Sequence, residues 1–242
     1  MKKLENDYYI QLIRSKPIII DKLKIYPVSF GEMCDNIGLE NIDLILQPFC
    51  ITKECFNLHD DELQKMNLFE DLILAEKSLC VSMIIGLQLF CKTNKIYLKG
   101  KSVFIETPDI FFELNKNNFE KISEIIRKIT ARDKLKPEEK PPKNLTPRQL
   151  DIWTKLHEGR KREEKKNVVH IYDILNVCEF GGNYHIPIEE IESWSLWKIM
   201  NCYRARKNLK TYDDNLKICL VTGDGKSISG DNHWHRQLMV RE

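Results

Sequence analysis

No cysteine pair in this chain has the C-x-x-C spacing of a zinc knuckle or redox dithiol, although there are eight cysteines, at 34, 50, 55, 80, 91, 178, 202 and 219. Most have apolar neighbours, as in Leu79-Cys80-Val81 and Ile218-Cys219-Leu220. They are expected to be buried, reduced thiols that behave as small hydrophobes in a cytosolic protein. A membrane-length apolar run is missing too. The most apolar window, residues 79–90, is broken by Ser82, Gly86 and Gln88 and closed in by Glu76, Lys77 and Lys92. It falls short of the roughly 18–20 residues that a bilayer span needs. The opening Met1-Lys2-Lys3-Leu4-Glu5-Asn6-Asp7 lacks the apolar stretch of a signal peptide, so a cytoplasmic protein is expected. Net charge is scarce as well: 38 Lys and Arg stand against 36 Asp and Glu, leaving +2. Such a chain projects no strong field toward nucleic acid or a membrane, and an electrostatic partner must be met by a local patch.

Catalytic motifs are likewise absent. No Ser or Cys lies in a nucleophile-elbow context. Gly223-Asp224-Gly225-Lys226-Ser227 follows an apolar run like the end of a phosphate-binding loop, but Leu220 stands where the first Gly belongs. The residues that follow, Ile228-Ser229-Gly230-Asp231, are poor helix, so an ordinary turn is expected. His233 and His235 with Asp231 have the chemistry to bind a divalent cation, yet spacing identifies no further ligands. A polar terminal segment is expected there. The chain is therefore read as non-enzymatic, with no catalytic residue, cofactor or metal.

What is present is patterning. Residues 1–15 read as a short helix. Residues 17–30 carry Ile18-Ile19-Ile20, then Leu23, Ile25, Tyr26, Val28 and Phe30 across Asp21-Lys22, which predicts two short strands in a hairpin. Ile42, Leu44, Ile45 and Leu46 suggest a short helix or strand that Pro48 stops. Asn67 with Glu70 three residues later has the form of an N-cap and its acidic partner. The apolar stretch behind it predicts a mostly buried helix of about 22 residues, ending near Phe90. Lys95-Ile96-Tyr97-Leu98 and Ser102-Val103-Phe104-Ile105 alternate about Gly100 and predict a second hairpin. Asn117 with Glu120 opens a helix in which Phe119, Ile122, Ile125, Ile126 and Ile129 form one apolar stripe.

Composition changes at residues 132–166, where 12 Lys and Arg face 7 Asp and Glu and four of the nine prolines fall. Residues 134–145 read as an extended Pro-rich linker. Thr146-Pro147-Arg148-Gln149 is a helix start, with Leu150, Trp153 and Leu156 expected on one face. The run Arg160-Lys161-Arg162-Glu163-Glu164-Lys165-Lys166 beyond Gly159 has no apolar side and is expected to be solvated or held by a partner. Further on, residues 168–175 predict a helix ended by Gly181-Gly182. Ile188, Ile191, Trp194, Trp197 and Leu196 or Met200 predict a second helix, whose exit carries Arg204, Arg206, Lys207 and Lys210 as complements to its C-terminal dipole. Residues 216–221 read as a brief strand or a helical turn.

The fold class expected is α+β: a mixed N-terminal half of hairpins plus a long buried helix, and a mainly α-helical C-terminal half. The boundaries are 1–133 for the mixed domain, 134–166 for the charged linker and solvated helix, and 167–242 for the small helical domain. Trp194 and Trp197, three apart among apolar neighbours, have a core pattern but also belong to the partner-binding candidates. That set is Leu150, Trp153, Leu156, Arg160, Arg162, Trp194, Trp197, Arg204 and Arg206.

Leu23-Lys24-Ile25-Tyr26-Pro27-Val28, the buried helix and the hairpin beginning Lys95-Ile96-Tyr97-Leu98 come in a particular order with the Pro-rich connector. After them come Ile191-Glu192-Ser193-Trp194-Ser195-Leu196-Trp197 and His233-Trp234. In this order of elements the chain resembles tail proteins of Gram-positive phages and phage-tail-like bacteriocins, and is similar to tail-assembly chaperones and baseplate-hub assembly proteins. The resemblance implies a non-enzymatic protein of a contractile or related tail that binds other tail components, such as the tape-measure protein or the hub. It places the chain in the host cytoplasm during assembly, or retained in the finished particle. The alternative is a small nucleic-acid-binding protein using the basic segments 160–166 and 204–210. A salt-dependent shift of DNA or RNA separates it from the first.

Overall fold

Three isoleucines in a row form a strand readily, and Ile18–Ile20 (β1) pairs antiparallel with Leu23–Ile25 (β2), so that Ile18 faces Ile25. Asp21 and Lys22 make the turn at φ of 45° and 74°, the left-handed geometry that a two-residue hairpin demands. Ile18, Leu23 and Ile25 are fully buried. The structure, a computed structural model, describes residues 2–56, 60–137, 139–142, 144–166 and 169–223. The Gly225-Lys226-Ser227 turn and the Asp231, His233 and His235 group lie outside the described residues.

Helix α1 (Lys2–Ile13) precedes the hairpin, and α2 (Phe30–Ile37) follows it, its first turn capped by the Ser29 hydroxyl accepting from the Glu32 amide at 3.2 Å. Helix α3 (Ile42–Cys50) runs through Pro48 instead of stopping at it. Pro48 lies in the last turn, where its missing N–H forfeits a single helical bond. Helix α4 spans Asp60–Lys65.

Beyond it, Asn67 caps as expected, its side chain accepting from the amides of Phe69 and Glu70, but the reciprocal acid is Asp71, which accepts from the Asn67 amide at 2.7 Å. The single long helix expected here is two elements. A π-helical turn over Leu68–Ile73 is followed by α5 (Lys77–Cys91), with Glu76 extended between them. Buried Phe69, Ile73, Cys80, Met83, Leu87 and Phe90 stay in helical phase across the break, so periodicity alone sees none.

The second hairpin forms as expected from β3 (Ile96–Lys99) and β4 (Ser102–Glu106) about Gly100 at φ 63°, and a further strand, β5 (Phe111–Leu114), makes the order β3-β4-β5. Val103, Ile105, Phe112 and Leu114 point into the core. On the other face Tyr97, Phe104 and Phe111 stack across the strands, with centroids 5.8 and 5.3 Å apart. Helix α6 (Phe119–Thr130) buries the predicted stripe of Phe119, Ile122, Ile125, Ile126 and Ile129.

The C-terminal half is mostly helical: α7 (Pro147–Lys166), α8 (Ile171–Phe180), α9 (Ile188–Glu192) and α10 (Leu196–Thr222). With the small antiparallel sheets before it, this makes the fold α+β, as read from the sequence. The expected second C-terminal helix is broken at Ser193–Ser195, where the Ser195 hydroxyl caps a new helix by accepting from the Lys198 amide. Ile174, Cys178, Ile191, Trp194, Leu196, Trp197 and Ile199 join the same hydrophobic core as the N-terminal elements. A backbone hydrogen bond from the Phe30 amide to the Trp194 carbonyl, 2.7 Å, ties the two regions.

Helices α3, α5 and α6 meet around Phe49. Its ring occupies the notch left by Gly86 of α5, where an added Cβ would lie 2.7 Å from the ring. Its carbonyl accepts from Arg127 of α6 at 2.6 Å, and Arg127 also reaches Glu120 at 2.9 Å. Gly86→Ala should destabilise the protein. The roughly 1 kcal/mol that alanine gains in a helix is outweighed by the ~1–3 kcal/mol of forcing a methyl into a packed core. Arg127→Met keeps the bulk but strands the buried Phe49 carbonyl, and should cost about 1–3 kcal/mol. Urea midpoints of the two variants test both.

Candidate partner-binding surfaces

Helix α7 starts as its sequence dictates. The Thr146 amide donates to the Gln149 side-chain oxygen at 2.9 Å, and the Gln149 amide to the Thr146 hydroxyl at 3.4 Å. Gly159 does not interrupt it, so the charged run continues as the same helix. Leu150, Trp153 and Leu156 do not share one face. Six residues of α-helix turn through about 600°, which leaves Leu150 and Leu156 some 120° apart. The inward residues are Trp153 and His157, whose rings stack with centroids 4.7 Å apart. They line a pocket of about 400 Å³ with Cys55, Phe56, Glu139 and Pro141. Leu150, Ile152 and Leu156 are 43%, 49% and 61% exposed. Ile152 was missed by the sequence reasoning; its spacing of four from Leu156 is the signal that pairs them on the outer face.

Three cations of α7 are matched. Arg160 lies 3.7 Å from Glu139 of the linker, Arg162 3.6 Å from Glu158, and Lys155 2.8 Å from Asp151. The linker itself is anchored at its start, where the Leu135 amide donates to the Cys50 carbonyl at 2.7 Å and Lys134 pairs with Glu120 at 2.8 Å.

Trp194 and Trp197 are 7% and 3% exposed, so they are core residues and not surface for a partner. Their aromatic bulk is what closes the core between α2, α9 and α10. Lys198 covers the Trp194 ring, its ammonium 4.0 Å from the centroid. Arg204, Arg206, Lys207 and Lys210 lie in the middle of α10, because that helix runs on to Thr222. Arg206 does complement a helix C-terminus, but that of α8: it donates to the Val177 carbonyl at 3.1 Å and to the Tyr184 carbonyl at 3.2 Å. This occupies Arg206 internally and leaves Arg204, Lys207 and Lys210 as the outward cations.

All eight cysteines are unpaired, and Cys50, Cys80, Cys91 and Cys178 are buried. Burial pushes the Cys91 thiol up to about 12. The Cys178 thiol of α8 donates to the Ile199 carbonyl of α10 at 3.4 Å and neighbours the Cys202 thiol one turn on. The neighbouring Cys202 thiol and burial push Cys178 up, while the Cys178 thiol and the nearby Arg206 guanidinium hold Cys202 below its ordinary value against its own burial. Among the described residues, no three His, Cys, Asp or Glu side chains converge as metal ligands. No helix there is long and apolar enough to cross a membrane.

Alkylation of Cys202 by iodoacetamide, followed by mass spectrometry across pH, should have its midpoint below the ordinary thiol value. Cys178→Ala removes the neighbouring thiol that lowers Cys202 and should move that midpoint up toward the ordinary thiol value of about 8.5. A scan of family models and searches of curated proteins and solved structures return no match to this chain.

Proposed function

We propose that this protein is a non-enzymatic assembly factor that binds other components of a phage tail or baseplate, such as a tape-measure or hub protein. The observation that carries the binding reading is α7. It is a 20-residue helix attached to the body through Trp153 and His157, and it leaves Leu150, Ile152 and Leu156 uncovered. Ile152 and Leu156, four apart on the outer face of this helix, form an apolar pair that suits a helical partner segment, which buries it side by side. The tail assignment draws on the order of sequence elements described above. It places the protein's work in the host cytoplasm during assembly, with retention in the particle as a further outcome. A nucleic-acid partner is the second reading. It is favoured by Arg204 and Lys207, which have no carboxylate partner among the described residues.

Co-expression with the tape-measure and hub proteins of the same gene cluster tests the first reading. One of them should co-purify, and Ile152→Asp with Leu156→Asp should reduce its recovery at least tenfold while the circular dichroism spectrum is unchanged. Purification alone beside every such protein sinks the proposal. A salt-dependent gel shift of DNA or RNA without any tail partner replaces it with the second reading.

A further inference from the structure

Between the two halves lies a cleft that neither half makes alone. Its volume is about 570 Å³. Phe30, Leu39 and Ile42 line one side, and Ile174, Leu196 and Met200 the other. Its rim is basic: Arg204 and Lys207 of α10, His170 at the start of α8, and Arg132 just past α6. Arg132 is paired with Asp43. Arg204 and Lys207 have no carboxylate partner among the described residues, and the Lys207 ammonium lies 6.0 Å from the Tyr203 ring centroid. Val169 and Tyr172 also line it and are 46% and 65% exposed, so part of its apolar lining is open to solvent.

We infer that this cleft is the docking site for an acidic peptide segment of a partner, with one large apolar side chain seated between Phe30, Ile174 and Met200 and its acidic neighbours against Arg204 and Lys207. Three observations select that occupant. An apolar interior lacks the convergent polar groups that orient a small metabolite, and it accepts a side chain instead. The lining opens to solvent along the exposed Val169 and Tyr172, which suits a chain that enters from outside and runs on past its anchor. Two uncompensated cations fit a short acidic segment, whereas tight binding of a nucleic-acid backbone typically engages about 6–10 phosphates. The site is separate from the outer face of α7 and does not rest on the function proposed for that helix.

The test uses the full chain and a fluorescein-labelled peptide of one tryptophan flanked by two glutamates on each side, followed by fluorescence anisotropy. The peptide should bind, and Arg204→Glu with Lys207→Glu should weaken it at least tenfold with the fold intact by circular dichroism. Met200→Trp, which fills the cleft without altering its charge, should weaken it to a similar degree. Replacing the peptide's tryptophan by glycine should abolish binding, and replacing its glutamates by lysines should do the same. Absence of binding to the wild-type chain overturns the inference. So does equal binding to the charge-reversed variant, or equal binding of the lysine peptide. Tighter binding of a 12-nucleotide single-stranded DNA, lost in the charge-reversed variant, also overturns it and assigns the patch to nucleic acid.

Discussion

A guanidinium taken out of water must be met by partners, because an unpaired buried charge costs several kcal/mol. Arg127 meets this constraint by reaching across to α3. The last turn of any helix leaves carbonyls without intrahelical donors, and at the end of α3 two successive ones are used. Phe49 accepts from Arg127, and Cys50 accepts from the backbone of Leu135. The same Arg127 pairs with Glu120, which in turn holds Lys134. Burial raises the Glu120 carboxyl, but hydrogen bonds from Lys134 and Arg127 outweigh it and hold the group below its ordinary range. One buried cation thus joins α3 to α6 and fixes the point from which the linker departs.

Much of the fold was legible where one face of an element is buried and the other wet. The stripe from Phe119 to Ile129 and the alternation of Val103 with Ile105 each have a single solution. The break at Glu76 was not legible, because Ile73 and Cys80 are seven apart and a heptad spacing keeps its phase through an extended residue. Nor was β5. Phe112 and Leu114 alternate correctly, but four residues after Pro108 are too few to stand out. The length of α10 was misjudged for another reason. Its second half packs little, with Ile218, Leu220 and Val221 at 56%, 78% and 87% exposure. A helix with no buried stripe gives no period to read, and the cations in its middle looked like an end.

The candidate surfaces were legible in part. The cap at Thr146 is local chemistry and was read correctly. The face of α7 was not, because a spacing of three repeated twice drifts by a third of a turn. Leu150 and Leu156 therefore fall about 120° apart, on either side of Trp153, and His157 takes the place beside Trp153 expected of Leu156. Trp194 and Trp197 carried both possible meanings in the sequence, and only packing against α2 decides for the core. The cleft could not be read at all. Its walls come from residues near 30, 40, 131, 171 and 200, which no local pattern connects.

The two exposed surfaces differ in how their charge is balanced. On α7 three of the cations have carboxylates within a turn or on the linker: Lys155 with Asp151, Arg162 with Glu158, Arg160 with Glu139. Exposed pairs of this kind contribute about 0–1 kcal/mol to stability, so their effect here is to weaken the local field. What α7 then offers is shape and apolar area, which associate with little regard to ionic strength. Around the cleft, Arg132 is spent on Asp43 and Arg206 on the end of α8, and Arg204 and Lys207 keep their field. That field reaches about 8–10 Å at physiological salt, far enough to orient an acidic chain before its anchor enters. A chain of net charge +2 can therefore still be selective by charge, provided the cations that matter are the ones its own carboxylates do not reach.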